Sequence, residues 1–359
     1  MLRTLRDKDN DHIKHTGVRR YFVVERFEEI SLFLNRWRRT GDTRQVRSGD
    51  FATMYTTIPH ALLIEAVTAV TAEAFEWAGR EHSIDAAGLR IEWSTEQGEV
   101  HTRWVRGAGD ADRGADSCTF TAAELVHFVT FLVHNTYVIN GAVIRRQRVG
   151  LPMGTNCAPS LSNVFLYFYE SRFIDRTMMV SIYRAAQFHI TFRYIDDVLS
   201  IGNSLWQEAI DQRLIYPREL SLADTSPVSA ADPVHFLGMD IVGTDGDRFR
   251  LSVYDKRDDF PFPVRRYPQV ASLIPTTIPY GVFLGQLHRG YRICTDAADF
   301  LSFSISVAQR LMVNGCGHRR LSVLFASFVR RVAVRHRSHR ALCADFTKRT
   351  RELSASPSL

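Results

Sequence analysis

The residues that could do chemistry here are carboxylates. Phe192–Ser200 reads Phe-Arg-Tyr-Ile-Asp-Asp-Val-Leu-Ser, so β-prone residues lead into Asp196 and Asp197 and out again. Side chains along a strand alternate faces, so two adjacent aspartates can serve one site only where a turn breaks the alternation. Asp is tolerated in turns, and the pattern predicts strand, acidic turn, strand. Paired carboxylates repel unless a cation lies between them, and hard divalent cations take oxygen ligands. Taken alone, Tyr194-Ile-Asp-Asp197 describes a solvated turn more readily than a metal site.

Two further stretches bear on that choice. Asp50-Phe-Ala-Thr-Met-Tyr-Thr-Thr-Ile-Pro59 predicts a strand ending at Thr56 or Thr57, with Pro59 opening a helix. Gly150-Leu-Pro-Met-Gly154 predicts a glycine-rich turn into a helix that begins near Thr155 or Asn156, with Pro159 in its first turn. Nucleotide polymerisation needs this set. A primer 3′ hydroxyl attacks the α-phosphorus of a nucleoside triphosphate, and two metal ions roughly 3.5–4 Å apart hold the attacking and leaving oxygens. Carboxylates from two strands must clasp those ions, which calls for a distant pair such as Asp50 and Asp196. The rest of the catalysis is positioning and charge neutralisation.

In this order the segments resemble the palm motifs of reverse transcriptases. Asp50–Pro59 is similar to the first palm motif, Gly150–Pro159 to the second and Tyr194-Ile-Asp-Asp197 to the third. Phe236-Leu-Gly-Met-Asp240 resembles the primer-grip turn. Leu151–Pro159 and Tyr254–Phe262 look most like retroelement enzymes of the Penelope-like kind, and the resemblance runs from about residue 48 to about 340. It implies an α+β fold, a right-hand polymerase palm of antiparallel sheet packed on helices, with partial fingers and a helical, basic thumb. It divides the chain into lead-in and residual fingers (1–49), palm (50–253, with a surface insertion at about 81–117), crossover and thumb (254–345) and a disordered tail (346–359).

The resemblance also implies roles. Asp50 and Asp196 are the principal ligands of two Mg²⁺ or Mn²⁺ ions, the Phe51 carbonyl assists, and Asp197 is a weaker ligand or charge partner. Tyr55 lies under the incoming sugar and excludes a 2′ hydroxyl; its plainer reading is a core aromatic beside a strand. Gly150, Pro152, Met153 and Gly154 bring backbone close to the template base and the nucleotide, glycine having no β-carbon; their plainer reading is a turn leading into a helix. Met153 stands where many relatives carry Gln. Arg193 either touches the primer or flanks the hairpin. Arg319, Arg320, Arg330, Arg331, Arg335, Arg337 and Arg340 form a basic cluster suited to backbone phosphates, or a solvated face. Asp258-Asp259 receives no catalytic role. The implied partners are an RNA template, a DNA primer and deoxynucleoside triphosphates. The alternative is a catalytically inactive nucleic-acid-binding remnant. A template-independent terminal transferase is a third option.

Departures from the pattern are definite. Only 49 residues precede Asp50, and no Arg-Pro-Ile-like strand motif is among them, so the fingers read as truncated. Nothing downstream resembles a GIY-YIG nuclease. Between about residues 204 and 220 there is no Lys to protonate pyrophosphate, although Arg213 and Arg218 are near.

The elements that must position these residues follow from periodicity. Residues 1–20 read as a loose basic lead-in and Phe22–Trp37 as a helix. Leu62, Leu63, Ala66, Val67 and Val70 give the helix after Pro59 a core face, with Gly79 as its stop. Leu89–Trp93 and Val100–Val105 pair around Gln97-Gly98. Ala122–Leu132 is helical, and Tyr137–Ile139 with Ala142–Ile144 flank the hairpin signal Asn140-Gly141. Leu161, Val164, Phe165 and Phe168 form the core face of the next helix. Trp206–Leu214 is a short helix. Leu220–Asp224, His235–Ile241 and Phe249–Val253 read as strands, and Tyr280–Ile293, Ala297–Val313 and Leu321–Arg335 as helices.

Composition sets the outer bounds. The 359 residues, 45% hydrophobic and 23% charged, describe a globular chain of two or three lobes. The net charge of +6 and pI of about 9.2 permit a polyanionic partner, and the excess lies in the first 50 residues and after Gly317. Five scattered cysteines with no CxxC pair support neither a disulfide framework nor a zinc knuckle. The first residues lack the apolar core of a signal peptide, and no apolar run approaches the roughly 20 residues that span a bilayer. An intracellular, nuclear setting is expected, without a membrane.

Overall fold

The computed structural model describes residues 1–36, 45–94, 99–107, 117–152, 154–229, 231–243, 248–262, 264, 266–332 and 339–355. The chain divides into two compact units, residues 1–23 with 49–225 and residues 24–48 with 226–359. The span 50–253 expected for one lobe is therefore shared between them.

The chain begins with α1 (Leu2–Thr16), where a loose lead-in was expected. Some of its charged side chains are held by partners outside the helix. Leu5 is fully buried, Lys8 pairs with Glu73 at 2.6 Å, and buried Asp9 accepts from the Arg20 amide at 3.0 Å. Gly17, at φ +72°, ends the helix. Next come α2 (Phe27–Arg36), in the second unit, and β1 (Val46–Phe51). The strand stops at Phe51, short of Thr56. The turn α3 (Met54–Thr57) takes over because the hydroxyls of Thr56 and Thr57 bond back to the Thr53 carbonyl at 3.0 and 2.9 Å.

Pro59 caps α4 (His60–Glu81), which runs two residues past Gly79. The insertion is a sheet of β2 (Ala87–Trp93), β3 (Val100–Arg106) and β4 (Ser117–Phe120), in the order β3-β2-β4. Thr121 and Glu124 then form a reciprocal capping box on α5 (Ala122–His134). In the hairpin β5 (Tyr137–Asn140) and β6 (Val143–Arg146), Asn140 pairs with Val143, so Gly141-Ala142 make the turn. That is one residue later than the sequence signal. Both strands are solvent-exposed on both faces, and an apolar pattern that buries neither face cannot fix register.

Helices α6 (Ala158–Val180) and α7 (Ile182–Ala186) lead into β7 (Thr191–Tyr194), β8 (Asp197–Ile201), α8 (Trp206–Asp211) and β9 (Leu222–Asp224). Strands β7, β8, β1 and β9 lie side by side in that order. The core beneath them joins Phe51, Val198 and Leu220 to Leu63, Ala66, Val67 and Val70 of α4 and to Leu161, Val164, Phe165 and Phe168 of α6. The helical periodicity of the sequence anticipates nearly all of these positions.

The second unit carries a sheet of β10 (Val234–Phe236), β11 (Met239–Gly243) and β12 (Phe249–Val253). What reads as one strand, His235–Ile241, is two strands around Leu237-Gly238, both at positive φ (+50° and +71°). Among the described residues the helices α9 (Ile278–Ile293), α10 (Ala297–Val313), α11 (His318–Val332) and α12 (His339–Ala355) follow. The last overturns the expected tail from 346. Phe346 is fully buried and stacks on Phe325 with ring centroids 4.0 Å apart. Among the described residues no helix is long and apolar enough to cross a membrane.

Candidate active site

The two remote acidic segments meet in the first unit. β1 lies beside β8, and the Phe51 amide donates to the Asp196 carbonyl at 3.3 Å. Asp50 is thus on a strand whose next residue is hydrogen-bonded to the acidic turn. Asp50, Asp196 and Asp197 are all half-buried.

The turn itself differs from the expected one. Tyr194 pairs with Asp197, so the two connecting residues are Ile195 and Asp196, and Asp197 is the first residue of β8. Ile195 has φ +57°. The Tyr137–Arg146 hairpin fills the same first turn position with Gly141 at φ +61°, the usual residue for a turn left-handed there. A β-branched residue in that region costs on the order of 1–3 kcal/mol and persists only when its surroundings enforce it.

Those surroundings centre on Arg193. Its side chain is fully buried, its Nη1 donates to the Ile195 carbonyl at 3.0 Å and to Asn163 Oδ1 at 2.7 Å, and its Nε donates to Glu170 Oε1 at 2.5 Å. A primer contact by Arg193 is corrected by this geometry: the guanidinium has no surface to offer. Burial alone disfavours the cation, and the Glu170 carboxylate reverses that and raises its pKa above the ordinary arginine value. Tyr216 also donates to Glu170 Oε1, at 2.9 Å; burial, then Glu170, pushes its phenol well up. Sequence reasoning missed Asn163, Glu170 and Tyr216. A Glu set directly after the apolar stretch Val164–Tyr169 was the available signal, since a buried charge demands a partner.

The glycine loop is clamped to the segment after β1. Gly150 donates its amide to Ile58 at 2.8 Å, Leu151 donates to Tyr55 at 2.6 Å, and the His60 ring donates from Nε2 to the Gly150 carbonyl at 2.9 Å. Gly150 is buried at φ +83°, and a β-carbon there would lie 2.4 Å from the Tyr55 carbonyl. The fold so brings Tyr55, Gly150 and the half-buried Pro152 into one loop cluster. Gly154, at φ +102°, faces open space, and Met153 lies outside the described residues. His60 is a further residue the sequence reading passed over.

Asp50, Asp196 and Asp197, with the Phe51 carbonyl, offer oxygen alone. That donor chemistry fits a hard divalent cation such as Mg²⁺ or Mn²⁺. Among the described residues no three His, Cys, Asp or Glu side chains gather as a ready cage for an ion. The fit therefore rests on donor type and on the meeting of the two segments.

In the second unit, Arg319, Arg320, Arg330 and Arg331 are exposed on α11, while Leu321, Phe325, Phe328 and Val329 face its core. Arg320 lies over the Tyr280 ring at 4.1 Å. Arg335 and Arg337 fall outside the described residues. At the turn that resembles a primer grip, Arg289 donates from Nη2 to the Gly238 carbonyl at 3.2 Å.

No protein-family model matches the chain, and no curated protein matches its sequence. Solved structures do resemble it. The telomerase of Candida albicans, in complex with the TWJ fragment of telomeric RNA, matches with a TM-score of 0.53 at 10% identity, over 99% of this chain and 52% of that one. Apo telomerase of Candida tropicalis matches with a TM-score of 0.46 at 10% identity, over 98% and 55%. The chain thus spans about half the length of the telomerases it matches. The likeness to the first is one of fold, and the fold is reverse-transcriptase-like.

Proposed function

We propose that this chain is an RNA-directed DNA polymerase of a retroelement of the Penelope-like kind, extending a primer 3′ hydroxyl. The carrying observation is the Phe51–Asp196 backbone hydrogen bond, which sets Asp50 beside the acidic turn within a reverse-transcriptase-like fold. In this reading Asp50 and Asp196 hold two Mg²⁺ or Mn²⁺ ions, helped by the Phe51 carbonyl and by Asp197. When bound, such ions activate the attacking hydroxyl and neutralise charge on the phosphates.

The chain's own residues do the positioning. Tyr55 stands under the sugar and rejects a 2′ hydroxyl. Gly150 and Gly154, with Pro152 and Met153, let the backbone approach the template base and the nucleotide. The sheet β7-β8-β1-β9 with α4 and α6 serves as the palm, the last four helices as the thumb and the residues before Asp50 as partial fingers. Arg319, Arg320, Arg330 and Arg331 grip phosphates without reading sequence. The partners are an RNA template, a DNA primer and deoxynucleotides, in the nucleus. The RNA held by the matching telomerase supports an RNA partner for this fold.

Primer extension on an RNA template in Mg²⁺ tests the reading. Templated addition by the wild type, lost in Asp196→Ala and opened to ribonucleotides in Tyr55→Ala, is the expected outcome. Equal extension by wild type and Asp196→Ala sinks it. Salt-sensitive duplex binding with no nucleotide addition favours the inactive remnant instead.

A further inference from the structure

Glu170, on α6, has no exposed side-chain surface, and its carboxylate serves two segments at once. On one side it accepts from Arg193, through Nε to Oε1 at 2.5 Å and through Nη2 to Oε2 at 3.2 Å. Arg193 in turn donates to the Ile195 carbonyl, the peptide group that leads directly into Asp196. On the other side Oε1 accepts from the Tyr216 hydroxyl at 2.9 Å. The Tyr216 ring packs edge-on against Phe51, centroids 4.8 Å apart, and Phe51 is the neighbour of Asp50. One buried carboxylate therefore reaches both aspartate-bearing segments through a single intervening side chain each.

A buried ion pair is a poor source of stability, since apolar residues of equal volume often do as well; its best-attested use is to fix a geometry. The planar guanidinium fork suits that use, because two of its nitrogens hold Glu170 while a third holds the turn. An apolar filling would remove the side-chain hydrogen bond to the Ile195 carbonyl that fixes the turn.

We infer that Glu170, with Arg193 and Tyr216, sets the spacing between the Asp50 and Asp196 carboxylates and so the affinity of that pair for a divalent cation. These are positioning residues. The inference rests on the polymerase reading, but it concerns binding of the ion and is measured without turnover.

The test is Mn²⁺ binding to the full chain, followed by electron paramagnetic resonance with no primer or nucleotide present. Wild type, Asp196→Ala, Arg193→Lys and Tyr216→Phe are compared, with circular dichroism melts to confirm folding. The expected result is binding weakened about 10-fold or more in Arg193→Lys, within the range seen when groups supporting metal ligands are altered, and by a smaller factor, about threefold, in Tyr216→Phe. The half-saturating Mg²⁺ for extension should move in parallel, with a smaller change in rate at saturating metal. Unchanged Mn²⁺ affinity in both folded variants overturns the inference and leaves the polymerase reading standing. If Arg193→Lys does not fold, Tyr216→Phe alone decides. If wild type shows no Mn²⁺ binding that Asp196→Ala removes, metal catalysis at this site fails and the inference falls with it.

Discussion

Leu151 donates its amide to the carbonyl of Tyr55 at 2.6 Å, so the glycine loop is tied to the residue proposed to sort sugars. Gly150 is what permits this approach. Gly150→Ala would set a β-carbon 2.4 Å from that same carbonyl in a left-handed backbone, and the loop must detach. Gly154→Ala meets no neighbour and bears only the conformational cost, about 1–2 kcal/mol. Hydrogen exchange at the Leu151 amide should therefore quicken strongly in Gly150→Ala and little in Gly154→Ala. Equal protection in the two variants would refute the clamp.

Gly49 supports the other half of the site. An added β-carbon would lie 3.1 Å from Leu222 Cδ1, 3.1 Å from Trp206 Cζ2 and 3.2 Å from the Ala223 carbonyl. Gly49→Ala should cost about 1–3 kcal/mol through overpacking, read as a lower urea midpoint. Because Asp50 follows immediately, primer extension should fall further than that loss of folded protein explains.

The final helix is structural. Phe346 is buried between Phe325 and Phe283, and Phe346→Ala removes that packing. A loss of about 3–5 kcal/mol is expected from thermal or urea melts of the full chain. A melt indistinguishable from wild type would mean that this helix does not close the second core.

Acid should weaken the first unit before it protonates carboxylates. Burial, then the charge of Arg20, lowers the His12 pKa, and burial, then Arg19, lowers that of His189. A depressed folded-state pKa means the unfolded chain takes up the proton first. The stabilisation is whole above the unfolded value of about 6.5 and drains away as pH falls from there through the folded values. The urea midpoint of the wild type should drop between pH 7 and pH 5, and the drop should shrink in His189→Gln. An identical drop in that variant excludes His189 as a contributor.

What could be read from the sequence was whatever repeats locally. The core faces of α4 and α6, the three helices α9 to α11 and the β2–β3 pair carry their own periodicity, and Asp50, Gly150 and Asp196 lie at positions that turn chemistry marks. The misses have a common cause. α1 and α12 are rich in charge and poor in apolar residues, and what holds them comes from far along the chain, as with Lys8 and Glu73 or Phe325 and Phe346. Arg193 read as a primer contact or a flank of the hairpin because its partner Glu170 stands 23 residues away on another element. Nothing in the letters Ile-Asp announces a left-handed isoleucine.

That isoleucine makes position 195 a place where two kinds of selection part company. A library randomised there and sorted for heat resistance alone should drift toward Gly, Asn and Asp, which adopt the left-handed backbone cheaply. Ile195 also packs against the core of the first unit, and those small residues forgo that anchorage. Sorted for nucleotide addition, the same library should keep bulky aliphatics, because a tip that is comfortable but loosely moored holds Asp196 less firmly.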